Sequence, residues 1–583
     1  METSSPFRLP KKTPFRIGEH IAEWATGLSK LDKFYAQRPA GCDTKEFLRF
    51  TLQVLGIDYQ VIQGALTNVP EKGPTVVVAN HPLGCVEGVI LAELLLHIRS
   101  DVQVLANQYL KTVPELDHLF IGVDVFEGNN AHKANLKALR QAHQHLEQGG
   151  LLLLFPAGEV SQLIDSKAKR LEDKEWSRSV SRLIRKSRAT TVPVFIDGQN
   201  SQRFYLAGKV HPLLRTLMLG RELLNKVSEC IDISIGSAIK YKEVNRLTDG
   251  QIVNYLRLNT YLLRSHTNAQ PTQMDRKDQE LPISDPLPIE DLLDDLRTMP
   301  SDHLLLSNGE FDVYCTNAEH IPSILHEIGR LREINFRAVG EGTGYAIDLD
   351  EFDKDYLHLF IWDRDNQTLV GAYRLGLVDH LLVKDGIKGL YSRTLFQFEE
   401  PFIESMGKAI EMGRSVIDKN YQKSMAPLLL LWKGIAAYVQ RNSEYTHLFG
   451  PVSISNDYSD KARQLLADTM TLHYYDSRIA EYVTPSNPLP TKHDLWNTSM
   501  LTALGDIQLL SRVIARIDEG RSVPVLLRQY LGLNGKLISF NVDPDFNNAL
   551  DGLIMVDLRD VPLKTLARYM GSKQAESYLD QHK

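Results

Sequence analysis

A histidine and a carboxylate lie close together in the segment VVVANHPLGCVEG, residues 76–88. His81 directly follows a run of β-branched residues that predicts a buried strand, and Glu87 comes after a turn rich in Pro and Gly. A carboxylate that holds one imidazole nitrogen fixes the tautomer and leaves the other nitrogen to act as a base. Such a base could take a proton from a hydroxyl group that attacks an acyl thioester. The structural alternative is a histidine that only caps a strand-to-helix turn.

The elements that must position this pair follow an α/β sandwich pattern from residue 75 to about residue 240. Predicted strands alternate there with helix-like segments, and ligands of α/β sheets gather at the carboxyl ends of strands, where His81 is expected. The predicted strands are TVVVA, VQVLA (102–106), LLLLF (151–155), TVPVF (191–195) and IDISI (231–235).

Two helices are predicted in residues 20–55, separated by the turn RPAGCD. The second helix carries an apolar stripe that consists of Phe47, Phe50, Thr51 and Val54. A stripe of this kind packs on the core of its own domain or lies in a lipid interface.

The sequence becomes polar and Pro-rich between about residues 267 and 287, which predicts a linker. After it, a second α/β unit is predicted, with strands near HLFIWD, TLVGAYRL, SVIDK and GKLISFNVDP. The predicted domains are therefore residues 1–266 and 288–583, joined by the linker 267–287.

The composition of the 583 residues, 43% hydrophobic and 24% charged, is that of an ordinary globular protein. A net charge of −7 argues against nucleic-acid binding, which usually requires a concentrated basic excess. The four cysteines are widely spaced and indicate reduced thiols in the cytosol, without a zinc site. No segment reaches the roughly 18–20 apolar residues that a spanning helix needs, and the N-terminus lacks the apolar core of a signal peptide.

Four motifs in order, over roughly residues 65–240, resemble those of the glycerolipid acyltransferases. They are the His and acid motif, HLFIGVDVFEG (118–128), LLLLFPAGEVS (151–161) and TVPVFIDGQNS (191–201). In that family the histidine is the general base and the acid orients it, so the resemblance implies these roles for His81 and Glu87. It also implies substrate binding by Phe155, Pro156, Gly158 and Glu159.

Two departures from this family bear on the acceptor. The acid Glu87 lies one residue later than usual, although a subgroup with the pattern NHPLGGxDG has an aspartate there. The arginines with which the family binds phosphate are replaced by Val123 and Val160, and valine cannot make arginine's bidentate contacts. The acceptor is therefore expected to lack a glycerol phosphate at that position, unless Arg170 or Arg178 compensates.

In the C-terminal half, seven residues follow the order and spacing typical of acyl-homoserine-lactone synthases and related GNAT-like amino-acid N-acyltransferases. These residues are Arg332, Phe336, Asp350, Asp353, Arg374, Glu411 and Arg414. The aromatic residue of the synthases between the second and third of these is replaced by Gly342, which argues against a homoserine-lactone product. The later segment VPVLLRQYLGLNGKLISFNVDPDF resembles the ornithine N-acyltransferases of this group.

The resemblance implies that Glu411 is catalytic and that the other six residues bind substrate. N-acylation needs a base because only a neutral amine attacks a thioester, and Glu411 is the candidate, directly or through a water. Asp350 and Asp353 could hold a cationic substrate, while Arg374 orients them or binds its carboxylate. The alternative is a structural ion-pair network. The string DLDEFDKD does not fit a calcium loop, so no metal is expected.

Residues 420–439, NYQKSMAPLLLLWKGIAAYV, lie where a GNAT fold has its pyrophosphate loop. The glycine-rich loop that binds coenzyme A is missing there, which fits a phosphopantetheine arm delivered by acyl carrier protein, with Lys423 as a contact. Acyl carrier protein is therefore the expected donor and partner, and no cofactor is expected.

The two halves together resemble the bifunctional bacterial ornithine lipid synthases, with a glycerolipid-acyltransferase-like α/β sandwich followed by a GNAT-like α/β domain. The resemblance implies that the C-terminal domain N-acylates ornithine with a 3-hydroxyacyl group and that the N-terminal domain O-acylates the resulting hydroxyl. Ornithine is implied by the family alone, and glycine, lysine or glutamine stay possible. Such an enzyme would act on lyso-aminolipid as a peripheral protein on the inner face of the cytoplasmic membrane.

Two other functions fit parts of the sequence. One is a lysophospholipid acyltransferase of the 1-acylglycerol-3-phosphate type with an accessory GNAT-like domain, which arginines around a phosphate pocket would favour. The other is a non-catalytic scaffold on a membrane surface. The scaffold is disfavoured because both halves keep charged constellations that packing does not require.

Overall fold

The computed structural model of the protein describes residues 5–8, 17–123, 129–165, 170–210, 212–226, 230–264, 280–490 and 495–583. The chain divides into two compact units: unit 1 is Met1–Asn268 with His493–Leu509, and unit 2 is Ala269–Lys492 with Leu510–Lys583. Most of the predicted linker (267–279) and the end of the second predicted motif (124–128) lie outside the described residues.

The second segment of unit 1 differs from the predicted domain boundaries, which placed residues 493–509 in the C-terminal domain. In the structure, Gln251 Nε2 donates a hydrogen bond of 3.3 Å to the Thr502 carbonyl, and Asn254 Nδ2 donates one of 3.4 Å to the Thr502 hydroxyl. Residues 493–509 therefore pack on the helix that contains Gln251 and Asn254. No local pattern in the sequence predicts this long-range contact.

Unit 1 is built on a seven-stranded sheet in the order β1-β9-β8-β2-β5-β3-β4, in which every pair is parallel except β8 with β9. A separate two-stranded hairpin pairs β6 with β7. The strands are β1 Asp58–Gln63, β2 Thr75–Ala79, β3 Val102–Asn107, β4 Phe120–Val123, β5 Leu151–Leu154, β6 Gln162–Asp165, β7 Arg170–Glu172, β8 Thr190–Asp197 and β9 Cys230–Ile235. Each of the five strands predicted in this half forms a strand, and each contributes apolar residues to the buried core of the unit.

Two helices of unit 1 begin at capping boxes. Asp43 with Glu46 and Thr248 with Gln251 form capping boxes at two of the N-termini. The helices are α1 Ile17–Thr26, α2 Leu28–Tyr35, α3 Thr44–Leu55, α4 Val86–Leu96, α5 Asn129–Glu147, α6 Ser179–Ser187, α7 Gln202–Val210, α8 Pro212–Leu224, α9 Tyr241–Val244 and α10 Asp249–Tyr261. Three helices, α1 to α3, therefore replace the two that were predicted before residue 55.

The apolar stripe of α3 packs inside unit 1. Phe47 is 5% exposed, and Phe50 and Val54 are half-buried against the same core. The packing interpretation of the stripe is therefore confirmed, and the stripe lends no support to a membrane interface.

Unit 2 is built on an eight-stranded sheet in the order β10-β11-β12-β13-β15-β16-β19-β18. Its strand pairs are antiparallel except β15 with β16, which are parallel. The strands are β10 Leu304–Asn308, β11 Phe311–Asn317, β12 Leu357–Asp363, β13 Thr368–Leu377, β14 Phe396–Phe398, β15 Ala409–Ile417, β16 His447–Ile454, β17 Val483–Pro485, β18 Lys536–Asp543 and β19 Ala549–Asp557, with β14 and β17 forming a separate pair.

Helices cover this second sheet. The helices of the C-terminal half are α11 Ile289–Thr298, α12 Pro322–Ala338, α13 Val378–Asp385, α14 Glu400–Met406, α15 Ala426–Arg441, α16 Asp460–His473, α17 Ser477–Ala480, α18 Ile507–Ile517, α19 Val525–Gly532, α20 Leu563–Met570 and α21 Ser572–Gln581. Short 3₁₀ helices at Glu351–Lys354 and Tyr391–Thr394 connect strands on the face that carries the predicted site residues. The predicted fold class, two α/β domains, is confirmed.

Within the described ranges, no helix combines the length and the apolar character that crossing a bilayer requires. The same ranges contain no group of three or more His, Cys, Asp or Glu side chains arranged to hold a metal ion.

Candidate active sites

The first site is a turn at the carboxyl end of β2, where His81 lies between the neighbouring strands β8 and β5. Asn80 joins the end of β2 to β8, since its Nδ2 donates to the Ile196 carbonyl at 2.9 Å and its Oδ1 accepts from the Ile196 amide at 2.7 Å. Asn200, which follows β8, donates to the carbonyls of Pro82 and Leu83, both at 3.2 Å. The backbone on both sides of His81 is therefore held by buried amide side chains.

His81 and Glu87 form the pair that the sequence predicts. His81 Nδ1 lies 2.8 Å from Glu87 Oε1, and Glu87 is fully buried while His81 is 16% exposed. The ring N–H does not point straight at this oxygen, which also accepts from the amides of Leu83 and Gly84. The short distance and the burial of Glu87 make the two groups an ion pair whenever His81 is protonated.

The charge state of Glu87 follows from its partners. Burial favours the neutral acid, but the facing His81 and the backbone amides outweigh burial, so the pKa of Glu87 lies below its ordinary value. A carboxylate that stays ionised beside Nδ1 is suited to hold the tautomer in which Nε2 is the base. No described residue hydrogen-bonds Nε2 of His81.

The FPxG segment forms the wall beside His81. The ring of Phe155 stacks on the imidazole, with centroids 4.5 Å apart and planes inclined by 29°. The Ser161 amide donates to the His81 carbonyl at 2.8 Å, and the carbonyl of buried Pro156 accepts from the Ser177 amide at 2.9 Å. Gly158 is exposed and has φ +69°, a backbone conformation that favours glycine.

Asp173 is a buried second carboxylate of this site that the sequence did not single out. Its Oδ1 accepts from the His81 amide at 3.2 Å and from Ser161 Oγ at 2.5 Å, and its Oδ2 accepts from Trp176 Nε1 at 2.8 Å. Burial raises the pKa of Asp173. Asp173 thus connects the His81 turn to the FPxG segment, and residues 92 positions apart in sequence give no signal of this contact.

Val123 and Val160 stand where the glycerolipid acyltransferases have phosphate-binding arginines. Val160 is 5% exposed and packs with Phe204 and Tyr205, while Val123 ends β4. A Cβ on Gly84 would lie 3.2 Å from a Val160 methyl, so this apolar cluster borders the His81 turn.

Several charged residues around this turn form ion pairs. The Glu159 carboxylate forms ion pairs with Lys174 at 3.1 Å and with Arg215 at 2.6 Å. These two cations lower the pKa of Glu159, although burial alone would raise it. Arg170 pairs with Glu172 at 3.3 Å, and Arg178 lies beside Gly250 at the start of α10. The compensating role predicted for these two arginines stays a prediction.

The second site is an ion-pair network on one face of the unit 2 sheet. Arg332 of α12 and Arg374 of β13 are buried and both contact Asp353, at 2.8 and 3.3 Å. Arg374 also lies 2.5 Å from Asp350. Although burial favours the neutral acid, Arg332 and Arg374 hold the pKa of Asp353 well below its ordinary value. Arg332, Asp350, Asp353 and Arg374 therefore lie together. Both the substrate-binding interpretation and the structural ion-pair interpretation require this arrangement.

Arg414 joins the network from β15 through a β-bulge. β15 has one residue more than β13 between their paired positions, and Arg414 adopts φ +49° there. Its guanidinium lies 3.1 Å from Asp348 and 3.4 Å from Asp350. Asp348 is 2% exposed and was not predicted, although it begins the acidic string, because the family resemblance covers only Asp350 and Asp353 of that string.

Glu411 is buried in a cage of donors. Ser392 N donates to Oε1 at 2.6 Å, Tyr391 N donates to Oε2 at 3.1 Å, and the Tyr356 hydroxyl also donates to Oε2. Burial and then the charge of Glu411 raise the pKa of Tyr356. Because both oxygens are occupied, this geometry suits a residue that positions the 3₁₀ helix Tyr391–Thr394. The predicted role as a base would require one of these donors to leave.

The parallel strands β15 and β16 separate next to this network. They pair only from Ala409–Glu411 with 447–449 and then diverge. Gly450 lies at the fork, where a Cβ would come within 2.1 Å of the Met412 carbonyl oxygen. Phe336, half-buried at the end of α12, accepts at its carbonyl from the Glu341 amide at 2.8 Å. Beyond Glu411 and Phe449 the facing edges of β15 and β16 no longer pair with each other, and Arg414 lies on this part of β15, an arrangement that suits an acyl thioester and its acceptor.

Two family models match separate parts of this chain. A family model described as acyltransferase matches residues 32–271, and one described as acetyltransferase (GNAT) domain matches residues 331–432. A glycine N(alpha)-acyltransferase of Bacteroides thetaiotaomicron is 29% identical over 266 residues, which are 43% of this chain and 78% of that protein. One from Phocaeicola vulgatus is 26% identical over 288 residues, 46% of this chain and 86% of that protein. A lyso-glycine lipid O-acyltransferase of Phocaeicola vulgatus is 25% identical over 208 residues, 34% of this chain and 71% of that protein.

Proposed function

We propose that this chain, an enzyme that joins an N-terminal acyltransferase domain to a C-terminal GNAT domain, makes a diacylated aminolipid in two steps. The C-terminal domain N-acylates an amino acid, ornithine, with a 3-hydroxyacyl group from acyl carrier protein. The N-terminal domain then acylates the 3-hydroxyl of that product. The observation that carries the proposal is the presence in one chain of a His–carboxylate pair beside an apolar wall and an Arg–Asp network beside a forked sheet.

The similar proteins support two acyl transfers by their printed names. Relatives named for N-acylation of glycine and for O-acylation of a lyso-glycine lipid both match parts of this chain. In those organisms the two activities reside in separate proteins, and here two domains would combine them. Our choice of ornithine rests on the family resemblance and differs from the glycine in those names.

In the O-acyl transfer, His81 Nε2 removes the proton from the 3-hydroxyl as its oxygen attacks the thioester carbonyl. Ionised Glu87 stabilises the imidazolium that forms. The imidazolium then protonates the departing thiolate, so the base is regenerated. Because Val160 borders this turn and Lys174 and Arg215 pair with Glu159, the site suits an acceptor without phosphate.

The contribution of Glu87 can be measured on its own. We expect Glu87→Gln to lower the rate of O-acylation about 100-fold or more, because a neutral amide does not stabilise the imidazolium. The assay supplies purified protein with synthetic lyso-aminolipid and an acyl thioester. The exposed Glu71→Gln serves as the matched control and should keep the wild-type rate. A Glu87→Gln rate within threefold of wild type would exclude this role.

Acyl carrier protein as donor is supported by the exposed loop before α15. Lys423 lies in this loop and is exposed, so it is accessible to an acidic carrier protein. Peripheral binding to the inner face of the cytoplasmic membrane is supported by exposed apolar residues of α1, α7 and α8, of which α8 packs on α1 and α7. These residues are Ile21, Trp24, Leu206, Val210 and Leu217.

The head group distinguishes ornithine from glycine directly. We expect a host without aminolipids that expresses this chain to accumulate a lipid whose fragmentation releases ornithine. The same host with His81→Ala should give the same head group with one acyl chain fewer. Tandem mass spectrometry of the lipid extract reads both properties, and a glycine fragment in their place would rule out ornithine.

A further inference from the structure

Three carboxyl groups of unit 2 lie outside the ion-pair network of Arg332, Arg374 and Arg414. Asp543 ends β18, Asp551 lies in β19, and Glu341 follows α12 and accepts from Ser453 Oγ at 2.8 Å. Asp543 and Asp551 are 4% and 6% exposed. Burial and then the charges of Asp543 and Glu341 raise the pKa of Asp551 well above its ordinary value, while Arg414 opposes the shift. Glu341 bonds Ser453, which is the register partner of Asp551 in β16, and Asp543 lies two residues beyond Asn541, which is its register partner in β18, so the three acids are neighbours.

Two polar atoms in this place have no hydrogen-bond partner among the described residues. They are Oδ2 of Asp551 and Nδ2 of Asn541, and Asn541 is fully buried. Asn541 and Asp551 are direct partners in the β18–β19 register, so their side chains project from the same face of the sheet. An unpaired buried acceptor and donor side by side are costly to the fold unless a polar ligand pairs with them.

The strand register relates these atoms to the fork between β15 and β16. Ser453 of β16 is the register partner of Asp551 in β19 and lies beyond the point where β16 leaves β15. Arg414 of β15 lies on the other side of the fork and acts electrostatically on Asp551. Asp551 is therefore one strand away from the opening, whereas Glu411 is enclosed by its own donors.

We propose that Asp543, Asp551 and Glu341 form the ammonium-binding subsite of the N-acyltransferase acceptor, and that Asp551 is the group that removes the proton from the attacking amine. The assignment rests on the proposed function of this domain. Asn541 Nδ2 supplies a donor for the carboxylate of the same amino acid. Three carboxyls opposed by one guanidinium also suit an acceptor with two ammonium groups, such as ornithine, better than glycine.

The proton and bond changes balance without a further reagent. The Asp551 carboxylate takes one proton from the ammonium, and the neutral nitrogen attacks the thioester carbonyl to form the C–N bond. As the C–S bond breaks, the second proton of the nitrogen passes to the leaving thiolate, which departs as a thiol. Asp551 then releases its proton to water.

The decisive experiment measures N-acylation of ornithine by purified full-length protein, with a 3-hydroxyacyl thioester, for wild type and Asp551→Asn. We expect Asp551→Asn to lose at least about 100-fold in rate at pH 7, the usual contribution of a general base. The remaining rate of the variant should rise by up to about tenfold per pH unit, because without the base only acceptor that is already deprotonated in solution can react. An aminooxy analogue of the acceptor, uncharged at neutral pH, should be acylated by the variant within a few-fold of wild type.

Stability separates this role from a structural one. The pKa of Asp551 is raised in the folded protein, and its charged neighbours there are Asp543, Glu341 and Arg414. The folded protein therefore loses stability as the pH rises from the ordinary carboxyl pKa to the raised pKa of Asp551. Asp551→Asn should therefore melt at or above the wild-type temperature at pH 8, with a smaller difference at pH 4. The exposed Asp560→Asn is the matched control and should keep the wild-type rate and melting temperature.

Each outcome decides one question. If Asp551→Asn acylates ornithine within threefold of the wild-type rate at pH 7, Asp551 is not the proton acceptor. The same conclusion follows if the variant loses its rates with ornithine and with the aminooxy analogue equally and also melts at a lower temperature. If wild type acylates no amino acid at all, the proposed function of the domain fails.

Discussion

Replacing His81 by alanine is expected to stop O-acylation and to leave N-acylation intact, so that a mono-acylated aminolipid accumulates. The loss in O-acylation rate should be about 10²- to 10⁴-fold, because the hydroxyl then has no base within reach as it attacks the thioester. Lipid extracts of an expressing host, or assays with synthetic lyso-aminolipid, report this loss by mass spectrometry.

The packing around His81 makes the variant informative. The backbone of this turn is held by Asn80, Asn200 and Asp173 through side chains that the substitution leaves in place. Removing the imidazole costs the stacking contact with Phe155 and the pairing with Glu87, but not the turn itself. The exposed His380→Ala is the control and should make diacylated lipid at the wild-type rate. Diacylated lipid from His81→Ala at the wild-type rate would show that the hydroxyl is activated elsewhere.

Replacing Arg374 by alanine is expected to abolish N-acylation, so that neither mono-acylated nor diacylated aminolipid forms. Arg374 is fully buried and contacts both Asp350 and Asp353, so its removal leaves buried carboxylates without their counter-ion. Breaking a buried pair in this way costs about 3–5 kcal/mol of folding free energy. Thermal or urea unfolding of the purified protein measures the loss of stability alongside the loss of activity.

The control for Arg374 is another arginine of the same unit. Arg297 pairs with Asp294 at 3.4 Å, and the two side chains are 68% and 74% exposed, so Arg297→Ala should cost no more than about 1 kcal/mol and leave N-acylation unchanged. With synthetic lyso-aminolipid supplied, Arg374→Ala should still perform O-acylation. Wild-type N-acylation by Arg374→Ala would refute any role of the network in this reaction.

The His81 site shows which features could be predicted from sequence. His81 and Glu87 are six positions apart, and a buried strand, a Pro and Gly turn and a helix start bring them together by local geometry alone. Phe155 could be added because it also ends a strand, and adjacent parallel strands present their ends at one edge. Asp173 could not, since it reaches His81 through a loop that follows the β6–β7 hairpin, and no periodicity reports a contact of that kind.

The unit 2 sites show the same limit more clearly. The charged residues of the Arg–Asp network could be selected by resemblance, but whether Glu411 is a base or a positioning residue depends on donors from residues 356, 391 and 392. Asp551 lies in a strand that reads as an ordinary buried segment, and only its register with Asn541 and Ser453 places it near the fork. Register between distant strands is a tertiary property, which is why the sequence did not indicate it.

The most direct test of the two-step account is a time course with purified protein, isotopically labelled ornithine, a 3-hydroxyacyl carrier protein and a second acyl carrier protein. The account predicts that label enters a mono-acylated lipid first and a diacylated lipid afterwards, and that His81→Ala stops at the first. Acylation of lysophosphatidic acid in the same mixture, with no label in any lipid, would contradict the account and identify a lysophospholipid acyltransferase.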